Sequence, residues 1–145
     1  MTKPEAIILK NKHLQHLGMW LLSLTLPGKE SLERTKFVEI LNVGISDLEK
    51  VRLELVDEFA ERDELGEKKI VQKPTQFGKE VNAYDMGKNQ KAFDEAAAEV
   101  LNRDFAVPIK DNVTTLAAIR GFLTRESVQG SIALQHKEWC EAFKV

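Results

Sequence analysis

The chain has little cysteine. Cys140 stands alone among 145 residues, so no disulfide can form within the chain, and a reducing compartment is expected. Long apolar runs are missing too. The most apolar stretch, Leu17 to Leu26, is ten residues, well below the roughly 20 that a membrane-spanning helix needs, and it reads as a core helix. Neither sign of charge dominates: 21 Lys and Arg against 23 Asp and Glu leave a formal net charge of -2. That balance gives no global pull toward nucleic acid or an anionic membrane. At the N-terminus, Lys3 and Glu5 precede a short apolar run with no small-residue cleavage site after it, so no signal peptide is expected. These absences predict a soluble protein, cytoplasmic where it is made, that does not partner a membrane.

Catalytic signatures are also scarce. There is no nucleophile elbow, phosphate-binding glycine loop or H-E-x-x-H, and Gly78, Gly87 and Gly121 are isolated. Ser127 or Cys140 would need a base and an orienting group to act as a nucleophile. Asp57, Glu58, Glu61, Asp63 and Glu64 have no apolar frame to separate their pKa values, so they read as a solvated face. The expectation is a protein that is not an enzyme and carries no cofactor.

What is present is one long helical stretch, Glu30 to Asp63. Phe37, Leu41, Ile45, Leu48, Val51, Leu55 and Phe59 recur in steps of three and four, on one stripe. Val38, Ile40, Val43, Leu53 and Val56 lie off it, so the apolar surface is wider than a narrow seam. Such a helix would span roughly 50 Å, against a diameter near 40 Å for a compact globule of this length. Either the molecule is elongated, or something else covers part of the helix.

A composition of 43% hydrophobic and 30% charged residues suits a single soluble domain. Ala6 to Lys10 reads as a strand, and Asn11 as a cap for a helix over Lys12 to Thr25 that buries Leu14, Leu17, Leu21 and Leu24. Pro27-Gly28 stops that helix. Gly44, inside the long helix, permits a bend or a close approach by a neighbour. Lys69 to Gln72 and Val81 to Met86 read as the arms of a projecting, solvated β-hairpin within 68–87. Lys88 to Arg103 is helical, with Phe93, Ala97, Val100 and Leu101 inward. Phe105 to Ile109 is β-like, Asp111 or Asn112 can cap, and helices follow over Thr114 to Leu123 and Ser127 to Phe143. Ala6-Ile-Ile-Leu-Lys10-Asn11 and Ala106-Val-Pro-Ile-Lys110-Asp111 echo each other as strand, cap and helix. If the two strands pair, Pro108 must sit at an edge or a bulge. The fold class is α+β and mainly α: a long central helix, three or four shorter ones, and a small β-sheet with a hairpin.

Three groups of residues offer chemistry. His13 and His16 on the first helix, with His136 and Cys140 on the last, would supply three nitrogens and a sulfur to a tetrahedral metal if the pairs met. Otherwise they are surface or half-buried polar residues, and no metal is the expectation. Lys29, Arg34 and Lys36 cluster where the long helix begins, where cations oppose its dipole by a few tenths of a kcal/mol. Three cations there hint at an acidic partner or neighbour. Lys69 and Lys73 in the hairpin, with Phe77 and Tyr84 available for stacking, could lie along a phosphate backbone. Interleaved Glu67, Glu80 and Asp85 favour a charged, solvated hairpin over nucleic-acid binding. A long apolar helix, two tryptophans on the terminal helices and a hairpin point instead to a protein interface. Lys29, Arg34, Lys36, Lys69, Lys73, Phe77 and Tyr84 are its candidate contacts.

Three stretches carry a resemblance: Asn11-Lys12-His13-Leu14, then Gly28-Lys29-x-Ser31-x-x-Arg34-Thr35-Lys36-Phe37, then Glu58-x-Ala60-Glu61-x-Asp63-Glu64-x-Gly66. In order and spacing they resemble a family of small uncharacterised proteins of tailed bacteriophages and prophages of Gram-positive bacteria. They cover roughly the first half of the chain; the longer, proline-containing hairpin tip departs from the pattern. The resemblance implies a phage origin without a known reaction. It places the protein in the host cytoplasm, with association to the virion as a further option. The function expected is a non-enzymatic accessory or assembly protein that binds itself, as a homo-oligomer, or another phage component. The alternative is an inhibitor that binds a host protein, such as a defence nuclease or the transcription machinery.

Overall fold

The computed structural model describes residues 5–74, 80–126 and 133–144, without the side chains of Lys73, Pro74 and Glu80. The fold is α+β and mainly α. The strands are β1 (Ala6–Lys10), β2 (Ile70–Pro74), β3 (Glu80–Tyr84) and β4 (Asp104–Pro108). The helices are α1 (Leu14–Ser23), α2 (Gly28–Phe59), α3 (Gln90–Leu101), α4 (Val113–Arg125) and α5 (Ala133–Phe143). Single 3-10 turns precede α1 and α3. The chain forms two compact units, one of residues 1–47 with 101–145 and one of Leu48–Val100; α2 contributes to both.

In the first unit, β1 and β4 pair antiparallel, Ala6 opposite Pro108 through Lys10 opposite Asp104. Pairing thus joins the two echoing segments into their own two-stranded sheet, separate from the hairpin. Pro108 sits at the end of an edge strand, where its missing N–H costs no ladder bond. One face of the sheet turns inward through Leu9 and Val107, both buried. The helices close over it with Leu14, Leu17, Leu21, Phe37, Leu41, Ile119, Phe122, Trp139 and Phe143, all almost fully buried. Met19 is 62% exposed, on the far side of α1. The capping side chains expected at Asn11 and Asn112 do something else. Asn11 lies in the 3-10 turn, and Asn112 Nδ2 donates to the Pro108 carbonyl at 2.8 Å, closing the β4–α4 turn.

Gly44 is buried against two neighbours. A Cβ there would meet Leu14 Cδ1 at 2.7 Å and the Phe105 ring at 2.7 Å, so the missing side chain lets α1 and β4 reach α2. Of the two roles open to this glycine, close approach is the one the structure uses.

In the second unit, Val56, Ala60 and Met86 form the buried centre, with Phe59 and Phe93 packed against it, ring centroids 6.3 Å apart. The hairpin runs Ile70 opposite Tyr84 to Pro74 opposite Glu80; its tip, including Phe77, lies outside the described residues. The long helix ends at Phe59, four residues before the expected Asp63. Backbone pairing takes over at that point: Glu61 N–H donates to Asp85 O, Lys69 N–H donates to Glu61 O, and Arg62 bridges Lys68. Asp63 Oδ1 accepts from the N–H groups of Leu65 and Glu67, and Gly66 takes φ +81°. That is an aspartate turn with glycine at its left-handed position. The charged run 58–64 carries the turn.

The apolar stripe of α2 is covered unevenly. Phe37 and Leu41 are fully buried, whereas Ile45, Leu48, Val51 and Leu55 are half-buried, and the off-stripe Val56 is buried. Gly44→Ala tests the packing at α2. A helix-interior alanine gains about 1 kcal/mol over glycine, but overpacking costs about 1–3 kcal/mol, and both Leu14 and the Phe105 ring would have to shift. The variant should lower the urea midpoint; a raised midpoint would refute the contact.

Candidate functional surface

Of the proposed metal ligands, His13 lies in the 3-10 turn before α1, His16 on α1, and His136 and Cys140 on α5; α1 and α5 do touch in the first unit. Trp20 packs edge-on to His136 and tilted against Trp139, ring centroids 5.6 and 5.7 Å apart. His136 Nε2 lies 3.1 Å from the Leu123 carbonyl. A carbonyl only accepts, so this nitrogen carries the proton; Cys140 Sγ lies 3.8 Å from both ring nitrogens and 3.9 Å from the same carbonyl. Burial pushes the Cys140 thiol above its ordinary value. A nucleophilic cysteine needs the opposite shift, toward thiolate; Cys140 is a packed thiol.

His13 is occupied elsewhere. Its Nε2 donates to Glu138 Oε2 at 2.7 Å, and His16 is exposed. The four candidates therefore do not converge, and among the described residues no group of three or more His, Cys, Asp or Glu is placed to hold a metal ion. Burial lowers the His13 pKa from its ordinary 6.5, outweighing the upward pull of Glu138, while Lys12 and His16 lower it further. At neutral pH the ring is an uncharged donor to a carboxylate.

The basic cluster comes apart on inspection. Arg34 Nη1 donates to the carbonyls of Leu21 (3.3 Å) and Leu24, and Nη2 lies 3.2 Å from Ser31 Oγ. These carbonyls belong to the C-terminal end of α1, where the last four have no helical partner and cations are favourable. Arg34 is thus a cap for the preceding helix, and its guanidinium is committed inside the fold. Lys36 is exposed and pairs with Glu33 at 3.3 Å. The hydrogen bond from Thr115, at 2.5 Å, is the main cause holding the Glu33 carboxyl below its usual range, with Lys36 adding to it. Lys29 is exposed. Arg125, which no sequence signal singled out, forks onto Glu30 at 3.0 and 3.3 Å.

In the second unit, Lys69 is exposed, and Tyr84 is 37% exposed with Lys68 Nζ 5.5 Å from its ring centroid. Lys68 also pairs with Asp57 at 2.5 Å, and Arg62 with Asp57 at 3.5 Å. The Lys68 hydrogen bond is the first cause of the lowered Asp57 pKa. Of the other hairpin candidates, the Lys73 side chain and all of Phe77 lie outside the described residues.

Exposed apolar side chains are the surface feature the polar candidates miss. On α1 and the first part of α2, Met19 is 62%, Leu22 60%, Leu32 64% and Val43 62% exposed. The wider apolar surface of the long helix, legible in Val43 lying off the stripe, was the signal for one of them. No helix among the described residues is long and apolar enough to cross a membrane.

Two outcomes check this geometry. Arg34→Met should lose about 1–3 kcal/mol of stability, because it removes charged hydrogen bonds to part-buried carbonyls. Lys36→Glu, on an exposed side chain, should stay within about 0.5 kcal/mol. Equal effects in chemical denaturation would show that Arg34 is not a cap. For His13 the folded pKa is depressed, so between the folded and unfolded values the unfolded chain binds more protons. Its contribution to stability is full above about pH 6.5 and falls as pH drops through the folded value. The denaturation midpoint should fall from pH 7.5 to about 5.5, and fall less in His13→Gln; identical slopes would remove the assignment.

In comparisons with known proteins, no family model, curated protein or solved structure matches the chain.

Proposed function

We propose that this is a non-enzymatic accessory or assembly protein of a tailed bacteriophage or prophage, which works by binding protein, either itself or another phage component. The observation that carries the reading is the exposure of Met19, Leu22, Leu32 and Val43, each at 60% or more, within 25 residues of α1 and α2. Scattered exposed apolar residues are ordinary on a protein surface. These four, on two helices consecutive in the chain, are apolar area that a partner would take out of water, and such area drives most association. The phage origin rests on the resemblance of residues 11–14, 28–37 and 58–66.

The test is glutamate substitution at Met19, Leu22, Leu32 and Val43, read by native mass measurement of the purified protein and by its recovery with phage particles. An exposed site should tolerate the change to within about 0.5 kcal/mol, so circular dichroism should not move while the complex is lost. A wild-type protein that stays monomeric and absent from particles would sink the assembly reading. Stoichiometric capture of one host protein by that monomer would favour an inhibitor instead.

A further inference from the structure

Leu65 is the most exposed large apolar side chain among the described residues, at 86%. It stands on the aspartate turn of the second unit, which holds it in one position. Asp63 Oδ1 accepts from the N–H groups of Leu65 and Glu67, Asp63 N–H donates to Glu67 O, and Gly66 N–H donates to Asp63 O. Turn chemistry uses Asp63 as acceptor and Gly66 for its left-handed backbone. It asks nothing apolar of residue 65, where a polar side chain would serve. Glu64 precedes Leu65 and Glu67 follows two residues later, both exposed. The cations beside the turn, Arg62 and Lys68, are held by Asp57. Among the described residues, no cation pairs with Glu64 or Glu67.

The first unit carries a surface of the opposite charge. Leu32 is 64% exposed on α2. Lys29 stands three residues before it and Lys36 four after, the spacings that share a helix face. Lys29 is exposed and has no carboxylate partner among the described residues. Lys36 keeps 62% of its side chain exposed beside its bond to Glu33. Glu39 is the acid of this face, and it lies a turn further on, toward Val43. Glu30, which Arg125 holds, is on the far side of the helix from Leu32, since two residues turn an α-helix by about 200°. One surface is thus an apolar side chain between carboxylates, and the other an apolar side chain between ammonium groups.

We infer that the Leu65 turn of one copy docks on the Lys29–Leu32–Lys36 face of α2 in a second copy, with Glu64 and Glu67 toward the two lysines. This rests on the reading above that the chain binds itself, and it names what the exposed residues of α2 meet. Leu65 is the anchor, because removing apolar area from water drives the contact. The charges around it set the register and speed encounter. Face-to-face or turn-to-turn contact would put like charges together, which disfavours those pairings. A contact between two unlike patches is heterologous, so every copy carries both halves of it. The charges are exposed, and added salt weakens their part.

The experiment mixes two variants of the full chain, Leu65→Ser and Leu32→Ser, and reads native masses at low salt. Both sites are exposed, so circular dichroism should match the wild type. The wild type should associate, and each variant alone should be monomeric, because every copy lacks the same half of the contact. Mixed one to one, they should form a heterodimer in which the intact turn of Leu32→Ser meets the intact face of Leu65→Ser. Reversing the turn (Glu64→Lys with Glu67→Lys) or the face (Lys29→Glu with Lys36→Glu) should each weaken association about tenfold, and combining the two reversals should restore it. A Leu65→Ser protein that associates as the wild type does would overturn the inference; if Leu32→Ser is then monomeric, self-binding through α1 and α2 still stands. A mixture without heterodimer would also overturn it. So would a wild type that stays monomeric, and recovery of that monomer with phage particles would leave the accessory reading in place.

Discussion

The first unit depends on a point where three elements meet with no side chain between them. At Gly44 the Leu14 methyl and the Phe105 ring occupy the space a Cβ would take. Leu14 begins α1 and Phe105 lies in β4, so this contact sets a helix and the sheet against α2 at once. Further along, the Gly18 backbone allows a contact of 3.7 Å with Leu41, and Leu41, Leu14 and Leu17 are fully buried. Glycine in a helix is unfavourable by itself; here close packing recovers the loss, because dispersion falls off steeply with any gap.

The polar interactions then fix what packing leaves adjustable. Arg34 holds the last carbonyls of α1, and Arg125 and Thr115 tie α4 to the first turns of α2 through Glu30 and Glu33. These bonds spend the charges that open α2 on internal partners. Lys29 and Lys36 are left at the surface, with Lys36 held by its own helix. Met19, Leu22, Leu32 and Val43 remain as exposed apolar side chains on α1 and α2.

Much of this organisation was legible in the chain. The order of strands and helices followed from periodicity and from the punctuation at Pro27-Gly28. The echo of the two segments left the pairing of β1 with β4 as one option, with Pro108 then at an edge, and the structure takes it. Other features were not legible, for identifiable reasons. The run Glu58 to Glu64 looks helical because its charges suit an exposed helix face, yet Glu61 is drawn into pairing with Asp85 and Lys69, a bond no local pattern announces. Arg34 reads as a surface cation at a helix start, and its role appears only once the end of α1 is brought beside it. His13, in the turn before α1, and His136 on α5 belong to neighbouring elements, but their rings turn to Glu138 and to the Leu123 carbonyl.

Sequence alone determined the fold class, the length of α2 to within a turn, the lone thiol and the balance of charge, because these rest on local periodicity and composition. Tertiary structure decided which side chains of α2 are buried and which cations are held by internal partners. Each of those depends on what lies across from a residue in space, and elements far apart in the chain supply it.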